Sequence, residues 1–125
     1  MGKMSEVYTI KDIREQESKL IAHITIDVKH AVFDGHFPQR SVLPGVLQLE
    51  MIKSVISQFF NRNYRLRLLK NAKYLAMVLP EQHQHLTIEL DVKKIEEENL
   101  KVKAVIRAEQ NVFLKFSGVF VEDHE

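Results

Sequence analysis

Between Leu86 and Phe120 apolar and polar side chains alternate in three successive runs. Leu86, Ile88, Leu90 and Val92 make the first, Leu100, Val102, Ala104 and Ile106 the second, and Val112, Leu114, Phe116, Gly118 and Phe120 the third. A repeat of two belongs to an extended strand with one buried face. Polar turns at Glu96-Glu97-Glu98-Asn99 and at Gln110-Asn111 separate the runs and predict an antiparallel meander. Earlier, Ile24, Ile26 and Val28 alternate with Thr25, Asp27 and Lys29 in a strand over Leu20 to Lys29, preceded by one from about Glu6 to Ile13. A mixed apolar and basic stretch from about Leu66 to Val78, ended near Pro80, reads as a further strand. From Gly45 to Phe60 the period changes. Leu49, Met51, Ile52, Val55, Ile56, Phe59 and Phe60 cover one half of a helical wheel, and Glu50, Lys53, Ser54, Ser57 and Gln58 the other. Pro44, which has no amide hydrogen to leave unpaired, suits the start of that helix. The pattern predicts an α+β fold in which an antiparallel sheet of about six strands lies against one long helix, apolar face to apolar face.

Composition narrows the setting. The 125 residues suit one continuous domain over 1–125, and neither a repeat nor a Gly-, Pro- or Ser-rich linker divides them. With 18 Lys and Arg against 17 Asp and Glu the net charge is +1, so no global field recruits nucleic acid or an anionic membrane. The lack of cysteine removes disulfides, thiolate catalysis and cysteine-ligated zinc, and fits a cytoplasmic setting. The first twenty residues carry charges throughout and hold neither a signal peptide nor a membrane span. A sheet of this size leaves unpaired backbone at its outer strands, which favours pairing with a second copy.

The chemistry is expected in the loop Phe33-Asp34-Gly35-His36-Phe37-Pro38, where Gly35 and Pro38 interrupt regular pairing. Taken alone, His36 reads as a turn or core histidine, and Glu50 as part of a polar stripe facing water. His83 and His85 lie on one side of a strand start, but no third ligand accompanies them, and they read as polar surface with no metal. The basic run Tyr64-Arg65-Leu66-Arg67-Leu68-Leu69-Lys70 reads first as a solvated strand face, although it could meet nucleic acid or an acidic carrier.

Gly35-His36-Phe37-Pro38 followed by Leu43-Pro44-Gly45-Val46-Leu47-Gln48-Leu49-Glu50 closely resembles the bacterial 3-hydroxyacyl-acyl-carrier-protein dehydratases. The spacing of His36 and Glu50 is that family's catalytic spacing. The likeness extends in outline over residues 20 to 121 and in detail over residues 33 to 50.

The resemblance implies a hotdog fold, the sheet wrapped round the central helix, in a homodimer whose sheets pair edge to edge; some relatives form trimers of dimers, and the sequence leaves that open. It implies dehydration of 3-hydroxyacyl thioesters, carried on an acyl carrier protein, to trans-2-enoyl thioesters in fatty-acid or related biosynthesis. His36 of one chain would meet Glu50 of the other as the acid/base pair. The amide of Gly45 would hold the thioester oxygen and the backbone carbonyl of Val42 the second ring nitrogen of His36. Phe33, Phe37 and Met51 would line the acyl tunnel. The reaction needs no cofactor and no metal.

Three departures from the family pattern bear on substrate choice more than on the reaction. Met51-Ile52-Lys53-Ser54 replaces the small residues and the glutamine that usually follow the helix carboxylate, and Pro80-Glu81-Gln82 stands where Pro-Gly-Asp is usual. An N-terminal helix with its Pro-His-Arg-Tyr-Pro segment is also lacking. Two alternatives therefore stand beside the dehydratase: a non-catalytic hotdog partner or carrier-binding chain of a specialised polyene or pigment pathway, and an acyl thioesterase, which the His and Glu spacing disfavours.

Overall fold

The structure, a computed structural model, describes residues 7–30, 33, 42–96 and 98–124. In chain order the elements are β1 (Tyr8–Gln16), β2 (Lys19–Ile26), α1 (Gly45–Phe60), β3 (Tyr64–Tyr74), β4 (His85–Glu96), β5 (Asn99–Ala108) and β6 (Asn111–Glu122). All six strands form one antiparallel sheet in the order β1-β2-β4-β5-β6-β3. This is the hotdog arrangement.

The alternating residues land as a period of two requires. Leu20, Ala22 and Ile24 stand opposite Leu90, Ile88 and Leu86, which stand in turn beside Ala104 and Ile106, all on the concave face. Against them α1 buries Leu47, Met51, Ile52, Val55 and Ile56. At roughly 25 cal/mol per Å² of apolar area, the burial of such a two-layer core is the main favourable term in the fold.

Beta-two is second in the sheet and β3 is last, and α1 lies in the connection between them. The helix is ~24 Å long and runs along β3: Gly45 at its start meets Tyr74 at the end of that strand, and Ser57 near its finish meets Tyr64 at the strand's beginning. Its backbone comes closest to the two edge strands, β1 and β3, because the sheet curls round it.

Several boundaries and faces differ from the sequence reading, each for a local reason. Beta-one runs past Ile13 to Gln16, because Glu17 and Ser18 both adopt positive φ, 52° and 71°, and close a tight hairpin to β2. A pair of positive φ angles matches the right-handed twist of two joined strands, but Glu-Ser carries none of the Asn-Gly signal that usually marks it. Beta-two stops at Ile26, where the Asp27 carboxylate accepts the Lys29 amide hydrogen and bends the backbone. Beta-three starts at Tyr64 and ends at Tyr74, earlier than Val78.

In α1 the buried face is turned toward Leu47 and Gln48, and Phe59 is partly exposed. Ser54 and Ser57, expected toward water, serve the edge strands instead: Ser54 Oγ shares a 2.6 Å hydrogen bond with the Tyr8 phenol, and Ser57 Oγ accepts the Tyr64 amide hydrogen at 3.2 Å. The helix ends at Asn61, whose left-handed φ of 55° lets its amide and that of Arg62 reach back to carbonyls of the last turn.

Candidate active site

The first turn of α1 faces a cavity of about 530 Å³ lined by Val42, Leu43, Pro44, Gly45, Gln48, Tyr74, Ala76 and Met77. Pro44 occupies the cap position and makes no side-chain hydrogen bond to the turn. The Leu47 and Gln48 amides bond to the Pro44 carbonyl, so the first turn keeps the Gly45 and Val46 amides as N–H donors at the positive end of the helix dipole, and of these two Gly45 lines the cavity. An oxygen that gains negative charge would be stabilised there.

A close neighbour requires a glycine at position 45. A Cβ on Gly45 would lie 2.8 Å from both Cζ and Oη of Tyr74, whose hydroxyl donates to the Gly45 carbonyl at 2.9 Å. Partial burial raises the Tyr74 phenol above its ordinary pKa, so it keeps the proton it donates. In Gly45→Ala the ring must swing out and lose that bond, at a cost of about 0.5–1.5 kcal/mol. In a Tyr74→Ala background the same change should cost nothing, and urea denaturation of the four proteins reads the difference. Additive energies would mean that the ring does not press on the glycine.

Glu50 is half-buried on the same helix. Its negative charge is one of the influences that raise the Tyr8 phenol, behind the larger effect of burial, which places the carboxylate toward β1. Five residues separate Glu50 from Gly45, which on an α-helix is about 140° of rotation and ~7.5 Å of rise. The two therefore face different sides of α1.

Of the other sequence-predicted positions, Val42 lines the cavity. Phe33 and Met51 are buried in the hydrophobic core, with 5% and 0% exposure, and neither lines this cavity. His36 and Phe37 lie outside the described residues. Four cavity residues were given no role from the sequence: Gln48, Tyr74, Ala76 and Met77. Gln48 lies one turn after Gly45, a spacing that signals a shared wall, whereas Tyr74 and Met77 reach the helix start only through the pairing of β3 with β6.

Polar groups elsewhere are engaged with one another. His83 Nδ1 accepts the Leu79 amide hydrogen and its ring packs 4.8 Å from that of Phe113, while His85 meets the Thr25 hydroxyl at 3.2 Å. Among the described residues, Glu98, Glu122 and His124 bring potential ligand atoms within 4.8 Å of one another. Arg62 already forks both oxygens of Glu122, and His124 is bonded to Glu98, so the group is an ion-pair cluster at the sheet end. No helix among the described residues is long and apolar enough to cross a membrane.

Comparison with known proteins adds family and fold. A family model described as "ApeI-like: ApeI dehydratase" matches residues 12–116. Among curated proteins, the 3-hydroxyacyl-[acyl-carrier-protein] dehydratase FabZ of Clostridium acetobutylicum is 27% identical over 96 residues, which is 71% of this chain and 62% of that protein. FabZ of Pseudoalteromonas translucida is 32% identical over 73 residues, 51% of this chain and 49% of the relative. The chain thus spans half to three fifths of the length of these relatives. Among solved structures, a conserved protein of Pseudomonas aeruginosa superposes with a TM-score of 0.67 at 13% identity, covering 98% of this chain and 95% of the other. A chain of the dehydratase heterocomplex ApeI:P of Xenorhabdus doucetiae gives 0.65 at 14% identity, covering 88% and 95%. At such identities the superpositions speak for the fold.

Proposed function

Given that the chain belongs to the ApeI-like dehydratase family, we propose that it removes water from 3-hydroxyacyl thioesters, delivered on an acyl carrier protein, to give trans-2-enoyl thioesters in cytoplasmic fatty-acid or related acyl-chain synthesis. The observation that carries this reading beyond family membership is the cavity at the start of α1, where the unbonded amides of Gly45 and Val46 stand beside an apolar space.

In this reading the thioester oxygen accepts hydrogen bonds from those amides, so that charge arriving from C2 is stabilised as it forms. His36, as neutral imidazole, takes the C2 proton. The electron pair left on C2 forms the C2–C3 double bond as the C3–O bond breaks, and Glu50 donates the proton that lets the oxygen depart as water. The proton on His36 and the charge on Glu50 are then reset through solvent. The Val42 carbonyl holds the second ring nitrogen of His36. Phe33, Phe37 and Met51 remain candidates for the far acyl channel, beyond the cavity at the helix start.

The site is completed by a second copy. Glu50 and Gly45 face different sides of one helix, so a carboxylate acting over the Gly45 amide comes more readily from another chain. Beta-three is an edge strand, and Leu68, Leu69, Tyr74, Leu75 and Met77 on it and just beyond it are exposed apolar side chains of the kind a partner covers. Pairing of two β3 edges would give a homodimer with two sites. A second reading, in which a different hotdog chain takes the partner's place, draws on the heteromeric assembly named for the Xenorhabdus protein.

Incubation with 3-hydroxyacyl carrier-protein thioesters of several chain lengths, followed by intact-mass spectrometry, tests the reaction. The expected result is loss of one water from the acyl group, a decrease of about 18 Da. Release of free carrier thiol in place of that loss would favour hydrolysis, and no change would favour the non-catalytic partner.

A further inference from the structure

Gln48 is the buried polar side chain of the described core, at 2% exposure, and its amide is poorly served. Nε2 makes one long contact of 3.5 Å with the Leu43 carbonyl, and Oε1 has no partner. A buried acceptor without a donor carries a full desolvation penalty, and folded proteins rarely leave one without a use. No side chain among the described cavity residues supplies the donor. Val42, Leu43, Pro44, Ala76 and Met77 have no polar side-chain hydrogen, and the one hydrogen of Tyr74 is committed to the Gly45 carbonyl.

Helical side chains lean toward the N-terminus of their helix, so that of Gln48 lies over the turn that begins at Gly45. Two complementary features therefore lie one turn apart beside the cavity: the unpaired amides of Gly45 and Val46 at the helix start, and the unpaired oxygen of Gln48, enclosed just behind the wall that this side chain helps to form. A ligand matching both has an acceptor and a hydrogen-bond donor a few bonds apart on an otherwise apolar body. A 3-hydroxyacyl thioester is such a molecule, with its carbonyl oxygen and 3-hydroxyl separated by two carbon–carbon bonds.

We propose that Gln48 is a specificity-determining residue whose weakly anchored side-chain amide turns into the cavity on substrate binding, its oxygen accepting the hydrogen bond of the substrate's 3-hydroxyl while the Gly45 turn holds the carbonyl. This rests on the dehydratase reading and deepens it. The hydroxyl's own lone pairs stay free for the proton that expels it, and saturated acyl groups are selected against because they leave the Gln48 oxygen unsatisfied.

The test uses the whole protein and two unreactive ligands. They are the amides formed by pantetheine amine with 3-hydroxyhexanoic and with hexanoic acid, in which nitrogen replaces the thioester sulfur and C2 is too weakly acidic to lose its proton. Wild type should bind the hydroxylated ligand about tenfold more tightly in calorimetry. Gln48→Leu and Gln48→Met, the second keeping the unbranched length, should bind both ligands alike, at the affinity of wild type for the plain acyl amide. Their melting temperatures should be no lower than that of wild type, since the substitutions remove an unsatisfied buried group.

The proposal is overturned if wild type does not discriminate, if the variants still do, or if both ligands weaken equally. Turnover of the ordinary thioester by wild type is followed separately. Discrimination abolished in the variants without any turnover in wild type would sink the dehydratase reading and uphold the hydroxyl contact.

Discussion

An equal mixture of His36→Ala and Glu50→Gln chains, each close to inactive alone, is expected to recover about a quarter of wild-type turnover once subunits exchange. Each single change removes one arm of proton transfer, an effect of about a hundredfold to ten-thousandfold. Random exchange gives heterodimers in half of the population. In each, one site combines the intact His36 of one chain with the intact Glu50 of the other, and the second site lacks both. The measurement is the rate of enoyl thioester formation before and after the two proteins are mixed and partially dissociated. Recovery requires that histidine and carboxylate come from different chains. If the mixture stays at the level of its components, the pair acts within one chain or does not act at all. A homodimer of wild-type chains that is itself inactive, and gains activity with a second hotdog protein, would favour the heteromeric reading.

Ile52→Ala should destabilise the protein by about 2–5 kcal/mol, the usual consequence of a cavity left in a packed core. Ile52 is fully buried on the face of α1 that lies against the sheet. Removing its outer carbons loses contacts with both layers, and neither layer can collapse into the gap without dragging the helix out of register. Urea denaturation of both proteins gives the difference, and a loss below about 1 kcal/mol would mean that the helix does not seat in the sheet as described. Such a loss matters for function too, because the helix that carries Ile52 also presents Gly45, Gln48 and Glu50.

Much of this architecture is legible in the sequence because burial leaves a periodic trace. Leu86, Ile88 and Leu90 alternate because one face of β4 meets the helix, and Pro44 with Gly45 marks where α1 begins. Other features leave no such trace. The helical pattern assigns Gln48 to neither face, and only the three-dimensional wall shows it enclosed and half-satisfied. Tyr74 meets Gly45 from a strand twenty-nine positions away, a contact set by the register of β3 on β6. The Glu17-Ser18 turn uses residues with little preference for positive φ, so the tertiary pairing of β1 and β2 imposes it. Of the proposed catalytic constellation, the sequence supplies His36 and Glu50 by resemblance, and the structure supplies the cavity that Gly45 opens onto.

The place of β3 in the sheet also constrains how the chain can be made. Beta-three is synthesised well before β6, yet β6 is its neighbour in the sheet. Until residues 111–122 have left the ribosome, the strand bearing Leu68 and Leu69 has no companion within its own chain. On a polysome, where nascent copies crowd together, two such waiting strands could find each other first. Subunit pairing would then begin during translation, and the late arrival of β6 would close each sheet around a contact already made.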